Sequence, residues 1–425
     1  MAREYRPRIA DRLLAEKLEG KGAVLIEGAK WCGKTTTAEQ VARSVHYMSE
    51  AGLIERNIQL AAVNPKLLLA GATPRLIDEW QLAPQLWDAI RFEVDHRGDV
   101  GLFVLTGSSV PADMSKVYHS GTGRFAWLRM RPMTLWESGE SSGEVSLASL
   151  FGGESQVEGV ARIDLEQVAF VTCRGGWPES VFMKERAALE QAFDYVAAVE
   201  HRDISMSDGT ERDPSKVHRF LRSYARHQGA QANYSTIKAD LAAADGTAPA
   251  ESSIASYIAA LKRIFVIEDV EAWNPNLRSK TAIRTSDTRY FADPSIATAA
   301  LGLGPADLMA DLPTFGLMFE TLCIRDLRVF AEAIHGNVYH YRDKNGLECD
   351  AVVHLRDGRY GLIEIKLGGD MLIDEGAKTL KTLADKIDTS RMRPPSFLMI
   401  LTATGRYAYR RPDGICVVPA ACLKD

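Results

Sequence analysis

Apolar positions along the chain change period three times, and each change predicts a different kind of element. Between IADRLLAEKLEG, whose apolar residues recur at helical spacing, and KTTTAEQVARSV, again helical, lies the near-continuous run GAVLIEG. Runs of this kind are expected of strands buried on both faces. PRLIDEWQ at 74–81 and GLFVLTGSS at 101–109 repeat the pattern, so the first third reads as a parallel α/β layer. From about 213 the period becomes helical. DPSKVHRFLRSYARHQ places Val217, Phe220, Leu221 and Tyr224 on one face and Lys216, Arg219, Arg222 and Arg226 on the other, with Asp213 as cap and Pro214 in the first turn. YSTIKADLAAADGTAPAESSIASYIAALKR then predicts helix, short turn and helix, followed by strand character. In the last third, the helical FGLMFETLCIRDLRVFAEA precedes three strand-like runs, NVYHYR, LECDAVVHL and RYGLIEIKL. A helix near 374–388 and the strand SFLMILTA complete an αβββαβ order.

The candidate chemistry sits at the ends of these elements. GAKWCGKT, directly after the first apolar run, matches Gly-x4-Gly-Lys-Thr, the pattern of a phosphate-gripping loop. Gly28 and Gly33 let the backbone turn its amides toward phosphate at a helix N-terminus, so Gly28, Ala29, Lys30, Trp31, Cys32, Gly33, Lys34, Thr35 and Thr36 are the nucleotide-binding candidates. Lys34 is expected to reach the β and γ oxygens and Thr35 to supply a hydroxyl to Mg2+. The strand ending in Asp78 adds a carboxylate for the magnesium-bound water, and Glu79 one to orient an attacking water. Ser108 is a candidate γ-phosphate or water contact, or else a turn cap. Arg124, in HSGTGR, is expected to neutralise charge on the transferred phosphoryl group, in its own subunit or across an interface, or else to be a salt-bridged surface residue.

Turn chemistry fixes a second expectation. A three-residue hairpin loop at RDG, with Gly358 left-handed, pairs Leu355 with Arg359 and therefore Asp350 with Glu364 and Glu348 with Lys366. A two-residue turn would instead put Asp350 beside Ile365. With the first register, Asp350 and Glu364, with Glu320 or Glu348, form a candidate magnesium site beside Lys366, which would stabilise a water nucleophile or phosphate charge. The bland alternative is a Glu348–Lys366 cross-strand pair with Asp350 solvated.

Composition narrows this modestly. A net charge of −5 gives no global pull toward nucleic acid, so DNA contact would come from local cations: Lys262, Arg263, Arg278 and Lys280, with Ser252 and Ser256 exposed and Ile254, Ile258 and Leu261 packed inward. The six cysteines show no Cys-x-x-Cys pair and read as reduced packing residues. No run approaches the roughly 18 consecutive apolar residues of a membrane span, and the charged N-terminus does not read as a secretory signal; a cytoplasmic location is expected.

GAKWCGKTTTA, PRLIDEWQLAPQLWD, LTGSS, HSGTGR, GGWPES and IEIKLG together resemble the prokaryotic AAA-superfamily proteins with a C-terminal domain of unknown function 4143. The αβββαβ order with Asp350 and Glu-x-Lys at 364–366 is similar to the restriction-endonuclease-like fold. The resemblance implies an α/β chain with three parts: an AAA-type P-loop ATPase domain at 1–155, a helical and winged-helix domain at 156–290 and a nuclease-like domain at 291–425. Residues 151–164 would serve as linker. It implies ATP and Mg2+ as cofactors, double-stranded DNA as a partner, and a ring or dimer if Arg124 acts in trans. Two other roles stay open: a nucleotide-dependent switch or scaffold with an inactive nuclease-like domain, and a remodeller of other proteins.

Overall fold

The computed structural model describes residues 5–111, 118–153, 157–245, 249–274 and 286–425, so Arg278 and Lys280 lie outside the described residues. The chain gathers into two compact units. Unit 1 holds Met1–Pro132 with the returning segments Arg202–Arg212 and Ala259–Phe265, and unit 2 holds the remainder. Within the segment expected to be a linker, 151–164, residues 159–160 pair inside unit 2. β6 (Val145–Ser146) pairs with β14 (Leu423–Lys424), and β7 (Gly159–Val160) pairs with β12 (Tyr407–Arg410).

Unit 1 is built on a parallel sheet of β1 (Ala23–Glu27), β2 (Ser44–Tyr47), β3 (Arg75–Asp78), β4 (Phe103–Gly107) and β5 (Phe125–Arg129), in the order β2-β3-β4-β1-β5. β4 thus lies between the strand that feeds the loop and the strand that ends in Asp78. Leu25, Ile77, Phe103 and Leu105 share a core with Trp80, Trp87 and Ile90. The helix expected over 34–45 stops at Glu39, and Ser44–Tyr47 becomes the edge strand against β3. The β-branched and aromatic residues there gain a parallel ladder that a longer helix would forgo.

Unit 2 carries the αβββαβ order. The helix Leu312–Ala333 is followed by β8 (Gly336–Arg342), β9 (Glu348–Leu355), β10 (Tyr360–Lys366), the helix Asp370–Lys386 and β11 (Phe397–Thr402), then β12 and β13 (Cys416–Pro419). The sheet order is β7-β12-β13-β11-β10-β9-β8. Gly358 adopts φ 87°, and Leu355 N–H donates to Arg359 O at 2.8 Å. β9 and β10 therefore pair Ala351 with Ile363 and Val352 with Leu362, the three-residue register.

Elsewhere in unit 2, helices surround the buried segment Pro294–Leu301. A charged network lies beneath it. Arg325 bridges Asp293 (2.8 Å) and Asp326 (2.7 Å), and Trp177 Nε1 donates to Ser295 Oγ. All six cysteines are free and buried, as packing residues are.

Candidate functional site

β1 ends at Glu27 and the chain turns at once into the loop 28–33, with Trp31 (φ 66°) and Gly33 (φ 98°) in left-handed conformations. For a tryptophan this is a rarely occupied region, which the surrounding structure must hold in place. A Cβ at Gly28 would stand 2.0 Å from Met130 O, so only glycine admits the approach of β5's exit. Lys34 opens the following helix and is buried, its ammonium donating to Gly28 O (3.0 Å) and Ala29 O (2.7 Å) of the loop itself. Around it, Ala29 and Cys32 are buried, Trp31 and Thr36 are exposed, and Lys30 forms an ion pair with Asp203 at 2.6 Å. Asp203 had no signal in the sequence, because its segment returns to unit 1 from far along the chain.

The acidic pair lies one strand beyond β4, and the loop reaches it. Thr35 Oγ1 donates to Asp78 Oδ1 at 2.6 Å, and Thr106 Oγ1 donates to the same oxygen at 2.7 Å. Glu79, left-handed at φ 57°, accepts Ser108 Oγ at 3.0 Å and Gln81 Nε2, while its N–H donates to Thr106 Oγ1 at 3.3 Å. The structure thus brings Lys34, Thr35, Asp78, Glu79 and Ser108 together. Thr106 and Gln81 were missed, although both lie inside the motifs LTGSS and DEWQ; only the strand order shows which carboxylates they face. A hydroxyl and a carboxylate oxygen 2.6 Å apart form the hard, all-oxygen donor set that suits Mg2+.

Arg124 is not part of this group. It precedes Phe125, which pairs with Ala23 at the start of β1, whereas the loop follows the other end of that strand. Five residues of strand separate the two ends, roughly 16 Å. Its guanidinium is held by Asp95 Oδ1 (2.7 Å) and Thr122 O (3.1 Å), and its hydrogen bond pulls the Asp95 carboxyl below its ordinary range. Here the arginine stands at Asp95 and not at the loop.

Family models match in three places. Residues 20–138 match an AAA domain, residues 165–307 a domain of unknown function (DUF8612), and residues 315–423 a domain of unknown function (DUF4143). The chain carries an AAA P-loop ATPase domain and a C-terminal DUF4143 domain. Solved structures that resemble it include the Walker-type ATPase paby2304 of Pyrococcus abyssi, at 14% identity and TM-score 0.43, covering 71% of this chain and 99% of that one. A RuvB variant of Thermotoga maritima follows at 17% identity and TM-score 0.26, covering 61% and 86%. A comparison with curated protein sequences finds no match. Among the described residues no helix is long and apolar enough to cross a membrane.

The DUF4143 domain brings a second cluster together. Lys366 Nζ lies 2.7 Å from Glu364 Oε2 and 3.3 Å from Asp350 Oδ2, and Ile365 N–H donates to Asp350 Oδ2 at 2.7 Å. Glu348 pairs with Arg342 at 3.0 Å, so the expected alternative of a Glu348–Lys366 bridge does not form. Glu320, on the helix Leu312–Ala333, takes the Tyr290 hydroxyl. Burial first and the charge of Asp350 second push both Glu320 and Glu364 up to about 8. Burial depresses the Lys366 ammonium, but the two neighbouring carboxylates outweigh it and hold it above its ordinary range. Glu364 Oε1 is buried without a partner. Even so, among the described residues no three His, Cys, Asp or Glu side chains are grouped to hold a metal ion. Of the residues expected to hold magnesium, Asp350 Oδ2 and Glu364 Oε2 face Lys366 and Glu320 Oε1 takes the Tyr290 hydroxyl, while Glu364 Oε1 is left over.

Between these regions, Asp213 caps the helix Pro214–Arg226 through Ser215 N, and Val217, Phe220, Leu221 and Tyr224 are buried as expected. Helices Tyr234–Asp245 and Glu251–Arg263 follow, with Ile254, Ile258 and Leu261 buried. Antiparallel bridges Ile267–Phe291 and Val270–Thr288 close behind them. Arg263, expected to face outward, donates to Pro111 O at 2.9 Å, and Arg226 pairs with Asp240 at 2.7 Å. Lys216, Arg222, Lys262, Ser252 and Ser256 remain exposed.

Proposed function

We propose that the AAA domain binds ATP with Mg2+ and hydrolyses it, and that nucleotide state controls a DNA-engaging middle region and the DUF4143 domain. The observation that carries the reading is the hydroxyl-to-carboxylate bond between Thr35 and Asp78, with Glu79 held beside it by Ser108 and Gln81. Thr35 and Asp78 would hold the metal, which supplies charge neutralisation at the phosphates. Lys34 binds the triphosphate, and Glu79 accepts a proton from, or orients, the attacking water. Alanine at Lys34 is expected to abolish ATP turnover; unchanged turnover refutes the enzymatic reading.

The helix pair Tyr234–Asp245 and Glu251–Arg263, followed by the antiparallel bridges Ile267–Phe291 and Val270–Thr288, supports a winged-helix reading, and exposed Lys216, Arg222 and Lys262 offer phosphate contacts. Salt-dependent binding of double-stranded DNA, weakened by neutralising these three, tests it. For the DUF4143 domain, the ion pairs of Lys366 with Asp350 and Glu364 favour the second role, a nucleotide-dependent switch that does not cut DNA. DNA cleavage with Mg2+ or Mn2+, abolished by Asp350→Ala or Lys366→Ala, would restore the nuclease reading.

A further inference from the structure

The backbone from Met130 to Leu135 is gripped repeatedly along its length. Met130 N–H donates to Glu27 O at 2.7 Å, Cys32 Sγ lies 3.5 Å from Met130 O, and Gly28 closes against the same carbonyl. Three residues later, Met133 N–H donates to Gly176 O at 2.6 Å, and a Cβ at Gly176 would stand 2.1 Å from Met133 O. Leu135 N–H donates to Asp326 Oδ2 at 2.9 Å, on the helix that carries Glu320. Backbone contacts alone make most of these joints, which is why glycine stands at 28 and 176.

A single buried side chain ties the phosphate loop to this segment. Arg8 is 6% exposed, and it donates through Nη1 to Cys32 O (3.0 Å) and through Nη2 to Arg131 O (2.9 Å). The peptide unit is planar and trans, so its C=O and N–H point in opposite directions. Holding Cys32 O from behind therefore aims the N–H of Gly33 toward the other side, where loop amides meet phosphate. Gly33, at φ 98° and without a side chain, cannot fix that orientation itself. The planar fork of a guanidinium spans two carbonyls in one rigid geometry, whereas an ammonium holds its donors on a flexible stem.

We propose that Arg8 is a positioning residue for the triphosphate, setting the Cys32–Gly33 peptide, and that its second bond, to Arg131, ties the state of the loop to the segment 130–135. The inference rests on the reading of residues 28–36 as a nucleotide loop. Arg8 touches no reacting atom and acts through the loop.

The test uses the full chain with Arg8→Gln and Arg8→Lys. Arg8→Gln raises the KM and Kd for ATP about 10-fold, the scale of one charged hydrogen bond, while kcat falls by less. Arg8→Lys lies between, since an ammonium on a flexible stem keeps the charge but not the rigid two-carbonyl fork. If Arg8→Gln melts early, Arg8→Lys carries the test alone, with KM raised at an unchanged melting temperature. Amide exchange supplies the second readout. A non-hydrolysable ATP analogue slows exchange at Met133 and Leu135 in the wild type; in Arg8→Gln, at saturation, that response is lost while the loop amides stay protected. Wild-type KM in both variants overturns the positioning role. A wild-type response at Met133 and Leu135 in Arg8→Gln overturns the tie to the segment. A wild-type chain that binds no ATP fails earlier, at the reading of the loop itself, and takes this inference with it.

Discussion

Ser108 Oγ donates to Glu79 Oε2 at 3.0 Å, so the residue just past β4 holds the carboxylate that follows β3. A left-handed backbone at Glu79 and a second donor, Gln81, fix the same group. Glu79→Gln is expected to keep ATP affinity while turnover falls at least about 100-fold, the usual scale for a lost general base. Ser108→Ala should cost about 10-fold in kcat, because Gln81 still orients the carboxylate. Calorimetry and phosphate release measured together check both. Loss of affinity matching the loss of rate would show that Glu79 serves binding instead.

Gly176 predicts a steric effect on stability. A Cβ there would meet Met133 O at 2.1 Å and Met133 N at 2.7 Å, both backbone atoms that cannot swing aside. Gly176→Ala should destabilise the chain by about 2–4 kcal/mol. Gly20, the last residue of its helix and with nothing within 4 Å of an added Cβ, is the control; alanine there should change stability by less than about 1 kcal/mol. Urea unfolding of the two variants measures the contrast, and equal midpoints would refute it.

The phosphate loop was legible because strand, glycine turn and lysine are contiguous and each has a local reason. The β9–β10 register was legible for the same reason: Gly358 dictates the turn, and the turn dictates which residues face one another. Contacts made by chain that returns from afar were not. Asp203 meets Lys30, and Arg263 meets Pro111, through segments more than a hundred residues away. Strand order decided two further points that pattern alone could not. β4 lies between β1 and β3, which places Thr106 on Asp78, and β5 runs parallel to β1, which carries Arg124 away from the loop. Ser44 and Val45, the start of the edge strand, carry a helical pattern, because their partner, β3, lies some thirty residues downstream.

Glu364 gives a pH dependence with a definite sign. It is 3% exposed and pushed up to about 8, above the ordinary 4.5, first by burial and then by Asp350. Between those two values the folded chain holds this proton and the unfolded chain does not, so the contribution is fully present below 4.5 and is lost as pH rises through 8. Glu364→Gln keeps a neutral group in place throughout. Its melting temperature relative to wild type should therefore climb from pH 5 to pH 8, by the equivalent of about 1–3 kcal/mol. A difference that stays flat across that window would refute the shift.

Arg124 lies just before β5, whose first residue pairs with Ala23, at the opposite end of the strands from Gly28. Its ion pair with Asp95 is solvent-exposed, so it contributes little to stability. Arg124→Ala should therefore leave the melting temperature and the ATP Kd of the isolated chain within about twofold of wild type or its equivalent in stability. An effect on turnover is expected where a second copy brings its own Arg124 to this loop, because an arginine stabilises phosphoryl transfer only within contact range. The decisive measurement is turnover per chain against protein concentration, for wild type and Arg124→Ala. Wild-type turnover that rises as copies associate, with the variant staying at the dilute value, places the arginine across an interface. Dilute, monomeric protein whose turnover collapses on Arg124→Ala would contradict the strand order on which the distance rests.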